Sequence, residues 1–169
     1  MKKIVLFIWQ LPQELLGMFV AWLWTKRGKE VDTGDDAVFL GLGDRKVHII
    51  AEESRRADPI LRLISGCSLG SHICLTDVHN CTTWLHENGH CKQSQILGWL
   101  YLPLIGIFSA VFCNLWDRLF HKKWCSYDRV YWYYKTRWSE KWADKLGCAY
   151  RDYELQKYNR PKDARFPAV

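Results

Sequence analysis

From Ile96 to Trp116 the chain runs for 21 residues without a charged side chain. That is long enough to cross a bilayer as one helix, but Pro103 and Gly106 interrupt its middle. A second apolar run, Ile4–Trp24, is interrupted by Gln10, Pro12, Gln13 and Glu14, and is flanked by Lys2, Lys3, Lys26, Arg27 and Lys29. Polar side chains near its centre make a free-standing span costly. Phe19-Val20-Ala21 is a poor signal-peptidase site, because Phe is too large for the small-residue slot. The run therefore predicts an uncleaved apolar helix over residues 1–27 that lies in or shallowly enters a membrane, with Trp9, Trp22 and Trp24 near the interface; the alternative is a helix packed in a protein core.

With 49% hydrophobic and 15% aromatic residues, ten of them Trp, the 169-residue chain is no disordered polymer. Its 11 Gly and 5 Pro exclude collagen-like and Pro-rich sequence. The seven Cys (67, 74, 81, 91, 113, 125 and 148) are odd in number and form no CxxC pair. They read as reduced, small hydrophobes rather than a zinc ribbon or a disulfide framework. The net charge of +6 falls entirely within residues 117–169, which suits a solvated face, an anionic lipid surface or a nucleic acid.

Residues 28–36 read as a polar linker. Ala37–Leu42 and Lys46–Ala51 read as strands around a Gly43-Asp44 turn, and Ile60–Ser65 and Leu69–Leu75 as two more. A helix capped by Thr76 or Asp77 is expected from Val78 to about Gln95, and another over Ser139–Gly147, ended by its glycine. The tail, 159–169, holds two prolines and reads as loosely ordered. These elements predict an α+β chain: a small antiparallel sheet, an N-terminal apolar helix, an apolar helical hairpin and a helical C-terminal part.

His86-Glu87-Asn88-Gly89-His90 is an HExxH sequence. Residues i and i+4 of a helix lie about 40° apart around the axis, so both imidazoles leave one face and can share a Zn²⁺. Glu87 sits beside them, placed to take a proton from water as general base. With six His and seven Glu in the chain, the pattern arises by chance in about one such sequence in a hundred. Two His leave tetrahedral zinc short of a protein ligand. Glu140-Lys141-Trp142-Ala143-Asp144 offers Glu140 as that ligand, and Asp144, one turn on, as an acceptor for the free N–H of a ligand His. His48, His72, His79 and His121 read as structural. A Tyr within 131–134, or His121, is a candidate to stabilise an oxyanion.

HExxH followed by ExxAD resembles the gluzincin zinc metallopeptidases, most closely the membrane-associated branch with the CAAX prenyl proteases and the bacterial heat-shock membrane protease. Gly89–Ser94 and Glu140–Gly147 are also similar to small uncharacterised bacterial proteins with that core. The resemblance implies a zincin-like domain over 37–158, with His86, His90 and Glu140 on zinc and Glu87 as base. It also implies that the strand before the active helix, with Leu69, Gly70, Ser71, His72 and Ile73, is the edge strand that pairs with substrate. The activity implied is zinc-dependent peptide-bond hydrolysis at a membrane surface, with peptide and lipid as partners and the site facing the cytoplasm. The alternative is a non-catalytic, zinc-stabilised membrane or scaffold protein. Nucleic acid is disfavoured, because no RNA- or DNA-binding module is present.

The metal ligands restrict topology. His90 precedes the uncharged run and Glu140 follows it. If the run crossed a bilayer, residues 117–139 would have to return carrying Arg118, Lys122, Lys123, Arg129, Lys135 and Arg137, which lipid forbids. The run should turn back near Pro103–Gly106 and pack on the Ile4–Trp24 helix.

Overall fold

A computed structural model describes residues 2–31, 45–61, 66–76, 81–109 and 138–149. The fold is α+β, mostly helical, with one four-stranded sheet. Helices α1 (Lys2–Trp9) and α2 (Leu11–Arg27) precede strands β1 (Glu30–Val31) and β2 (Lys46–Ile50). Short helix α3 (Glu52–Ala57), strands β3 (Gly66–Leu69) and β4 (His72–Leu75), and helices α4 (Cys81–Leu97) and α5 (Trp138–Gly147) complete the order.

The sheet order is β1-β2-β4-β3. It is mixed rather than antiparallel as expected: β1/β2 and β3/β4 are antiparallel, but β2 and β4 run parallel, with Val47 opposite Ile73. The single strand expected over Leu69–Leu75 is a hairpin. Gly70 and Ser71 form its turn, with Gly70 at φ +61°, a conformation open to glycine. Residues 30 and 31, read as linker, form the edge strand β1. Ile60 and Leu61 lie in a turn and a 3₁₀ turn, not a strand. The strand expected over 37–42, residues 62–65 and the tail 159–169 lie outside the described residues.

Alternation along the strands gives the sheet two apolar faces. Val47, Ile49, Ile73 and Leu75 pack with Trp84 and Cys91 of α4. Ile50, Cys67 and Cys74 pack with Val20, Ala21 and Trp24 of α2 and with Leu61. The sheet is thus a middle layer between α2 and α4. Residues 1–27 contribute to its core through Ala21 and Trp24.

The apolar helix expected over Ile4–Trp24 does not form as one helix, and no described helix is long and apolar enough to cross a membrane. The helix breaks at Gln10 because Pro12, in the first turn of α2, has no N–H for the Ile8 carbonyl. The Trp99 indole donates to that carbonyl instead, at 3.0 Å. Trp9 returns the arrangement by donating to the Gln95 carbonyl at 3.0 Å. Gln13 donates to the Gly98 carbonyl, so α1 and α2 both hydrogen-bond to carbonyls at and just past the end of α4.

The uncharged run does not break where expected. Ile96 and Leu97 are the last turn of α4, and the break is at Gly98, φ +54°, where a side chain would overlap the Trp9 ring. Pro103 is accommodated in a π-helical turn, Leu102–Gly106. The run packs on α1 and α2 through Gln95–Trp99. Residues 110–116 lie outside the described residues.

Helix α5 packs on α4 at backbone distance. A methyl on Gly89 would overlap the Ala143 carbonyl, and one on Gly147 the Leu85 carbonyl. The Lys92 ammonium donates to the Leu146 carbonyl at 2.8 Å, where the helix dipole favours a cation. Gly147→Ala should therefore destabilise the protein by about 1–3 kcal/mol in thermal or urea unfolding, as overpacking does. Gly106→Ala, whose methyl would meet only the flexible tip of Leu102, should leave the midpoint nearly unchanged.

On the α2 face lies a chain of polar contacts. Ser71 Oγ donates to Glu14 at 2.8 Å, and His48 Nδ1 donates to Glu30 at 2.8 Å. His72 Nδ1 faces His48 Nε2 at 3.4 Å. Burial, with Lys46 and His48 beside it, lowers the His72 pKa to about 4. Between pH 6.5 and about 4 the unfolded chain takes a proton that the folded one refuses, so stability should fall as pH drops through this window. His72→Gln should flatten that part of the urea-denaturation pH profile.

Candidate metal centre

Helix α4 carries the HExxH residues toward α5, and the Gly89–Ala143 contact sets how near the two helices come. His86 Nε2, His90 Nε2 and Glu140 Oε2 then form a triangle with every side 3.2 Å. All three residues are buried. Among the described residues they form the one group of three or more His, Cys, Asp or Glu side chains able to hold a metal ion. Tetrahedral coordination at about 2.0–2.1 Å requires ligand atoms about 3.3–3.4 Å apart, so these atoms match one face of such a tetrahedron.

The far side of each donor is fixed. His86 Nδ1 donates to Asp144 Oδ1 at 2.7 Å. Gln93 gives its amide N–H to the Ser139 carbonyl at 2.7 Å, which turns its oxygen to accept from His90 Nδ1, also at 2.7 Å. Ser109 Oγ donates to Glu140 Oε1 at 2.6 Å. With both Nδ1 atoms carrying protons, each neutral imidazole directs the Nε2 lone pair inward. Two lone pairs and a carboxylate oxygen then converge where only a cation, a proton or a metal ion, relieves their repulsion.

The electrostatics agree. Burial pushes the His86 imidazole down, but hydrogen bonds to Asp144 and Glu140, with the charges of Glu87 and Glu140, raise it to about 10. Burial likewise opposes charge on Glu140, yet the two imidazoles hold its carboxyl far below the usual range. A proton can thus stand in for the metal, and the two compete.

Glu87 is buried and sits beside this triangle in sequence, but it belongs to another contact. Ser68 Oγ of β3 donates to its Oε2 at 2.7 Å. A Cβ on Gly66 would lie 2.9 Å from its Oε1. The base candidate is thereby tied to β3, the edge strand beyond β4.

Of the residues singled out from sequence, the structure brings together His86, His90, Glu140 and Asp144, and seats Glu87 against the sheet. The expected substrate strand needs correction. Leu69 ends β3, Gly70 and Ser71 form the turn, and His72 and Ile73 belong to β4, which is covered on both edges. A one-strand reading cannot survive a two-residue turn, so the edge strand beside Glu87 is Gly66–Leu69, at the opposite edge of the sheet from β1. His48 and His72 lie with α2, away from the triangle. His79, His121 and Tyr131–Tyr134 lie outside the described residues.

Sequence reasoning missed Ser68, Gln93 and Ser109, which act on side chains rather than on a motif. Gln93 carried one usable signal: at i+3 from His90 it shares that residue's helix face. Cys67, Cys74, Cys91 and Cys148 are free thiols, with Cys74 and Cys91 buried, and burial pushes the Cys91 thiol up to about 12.

No family model, curated protein or solved structure matches the chain.

Two measurements check the centre. Metal binding near neutral pH should release a proton from His86, and apparent affinity should weaken about tenfold for each pH unit lowered. Gln93→Leu, which leaves His90 Nδ1 without its acceptor, should weaken metal binding about 10–100-fold. Calorimetry in buffers of different ionisation enthalpy reads both.

Proposed function

We propose that this chain is a zinc-dependent peptidase. The observation that carries the reading is the inward convergence of His86, His90 and Glu140, each backed by its own hydrogen-bond partner, with Glu87 held one residue away against a free sheet edge. The donor set, two imidazoles and one carboxylate, suits zinc with a coordination position left for the reaction. A Zn²⁺ held there supplies Lewis-acid chemistry, polarising a carbonyl and acidifying water.

The chain's own residues do the rest. Edge strand β3, Gly66–Leu69, offers backbone N–H and C=O groups to an extended peptide, which can add to the sheet beside Glu87. Ser68 orients the Glu87 carboxylate. Glu87 takes a proton from the attacking water and delivers it to the leaving amine. Asp144 and Gln93 hold the imidazoles in the tautomer that turns Nε2 inward. The burial of His86, Glu87, His90 and Glu140 keeps bulk water from weakening these charges.

The test is a matched pair of variants. Glu87→Gln removes the base and no ligand, so it should retain one zinc per chain by elemental analysis while peptide hydrolysis falls about 10²–10⁴-fold. His86→Ala should lose both the metal and the activity. If Glu87→Gln hydrolysed peptide at the wild-type rate, Glu87 would not be the base. If purified wild-type protein took up no stoichiometric metal, the reading would fall altogether.

A further inference from the structure

Helix α2 is built inside out. Its polar side chains face the protein: Gln13 is 0% exposed and Glu14 4%, beside buried Gly17, Ala21 and Trp24. The Gln13 amide N–H donates to the Gly98 carbonyl, and Glu14 accepts from Ser71. Gln10, just before the helix, is also buried and accepts from Ser94 at 2.8 Å. Apart from Trp24, the large apolar side chains of the helix are turned mostly outward. Leu15 and Phe19 are each 55% exposed, and Trp22 54%.

This face does not end with α2. Ile8 of α1, and Trp99 and Ile107 beyond the Gly98 break, are exposed to the same degree. The indole–carbonyl exchange between Trp9 and Gln95, and between Trp99 and Ile8, binds these segments side by side. The polar ends of both indoles are thereby satisfied within the protein. No charged residue occurs between Ile4 and Trp24 except buried Glu14, nor between Ile96 and Trp116. Lys26, Arg27 and Lys29 close the face at the C-terminal end of α2.

In water this arrangement is the wrong way round, because a continuous apolar patch of this kind is costly to hydrate. In a hydrocarbon solvent it is the right way round: polar groups turned inside, apolar groups outside, cations where head groups begin. We infer that the outward face of α1, α2 and residues 96–107 is embedded in one leaflet of a lipid bilayer. No described helix is long and apolar enough to cross it, so the face lies in the leaflet rather than through the membrane. Ile96 follows His90 by six residues on one helix, on the order of 9 Å along the axis. The candidate metal centre therefore lies close above the lipid.

The experiment separates lipid from a second copy of the chain as the occupant of this face. The full-length protein is mixed with phosphatidylcholine vesicles in 1 M salt and floated through a density gradient, with lipids brominated along the acyl chain as quenchers of Trp fluorescence. The protein should float, and its fluorescence should be quenched. Ile8→Glu/Phe19→Glu should reduce the floated fraction at least tenfold while keeping the wild-type melting profile in detergent. Arg56→Glu on exposed α3 should float like the wild type. A wild-type protein that stays unfloated, as a monomer or as an oligomer shielding Phe19, overturns the inference; so does flotation that needs anionic lipid and disappears in salt. The metal reading is tested apart from this one: His86→Ala and Glu87→Gln should float unchanged.

Discussion

Gly89 has no side chain, and the Ala143 carbonyl occupies the space where one would begin. The rest of the site depends on this contact. It lets α5 approach α4 backbone to backbone, close enough for Glu140 and Asp144 to reach the two imidazoles. Gly147 against Leu85 repeats the device nearer the end of α5. The small residues within both motifs therefore set the distance over which Glu140 must reach the two imidazoles.

That close approach creates an electrostatic problem that organises the surrounding polar groups. Three acceptor atoms 3.2 Å apart repel one another unless a cation lies among them. Asp144, Gln93 and Ser109 occupy the outer side of each donor and prevent it from turning away. The result is a preorganised cation site, whose rigidity comes from hydrogen bonds that point away from it. Ser68 serves Glu87 similarly, from the sheet rather than from α5. Glu87 is thus held by an edge strand of the sheet.

The sequence reading failed where local pattern competed with tertiary context. Gly70-Ser71 between Leu69 and His72 is a two-residue hairpin signal. It was hidden inside an apolar run that reads equally well as one strand. The parallel pairing of β2 with β4 leaves no local trace, because it depends on where the chain goes between residues 50 and 72. Pro103 and Gly106 look like the natural break in the uncharged run, yet a π-helical turn absorbs the proline and Gly98 takes the break. What selects Gly98 is the Trp9 ring packed over it, a residue 89 positions earlier in the chain.

The spacing of His86 and His90, and of Glu140 and Asp144, was fully legible, since i, i+4 positions share a helix face whatever surrounds them. The α+β class, the Lys46–Ile50 strand and the C-terminal helix were legible for the same reason, as periodicity is a local property. The tertiary structure alone decided that the two helices meet, that Glu87 is anchored to β3, and that Gln13 and Glu14 of α2 turn inward while Leu15, Phe19 and Trp22 turn out. The physical reason is one of range. Helix and strand periods are set by backbone geometry within a few residues, whereas which face of an element is buried depends on partners distant in sequence. For α2 those partners, Ser71 and the Gly98 carbonyl, lie 57 and 85 residues away.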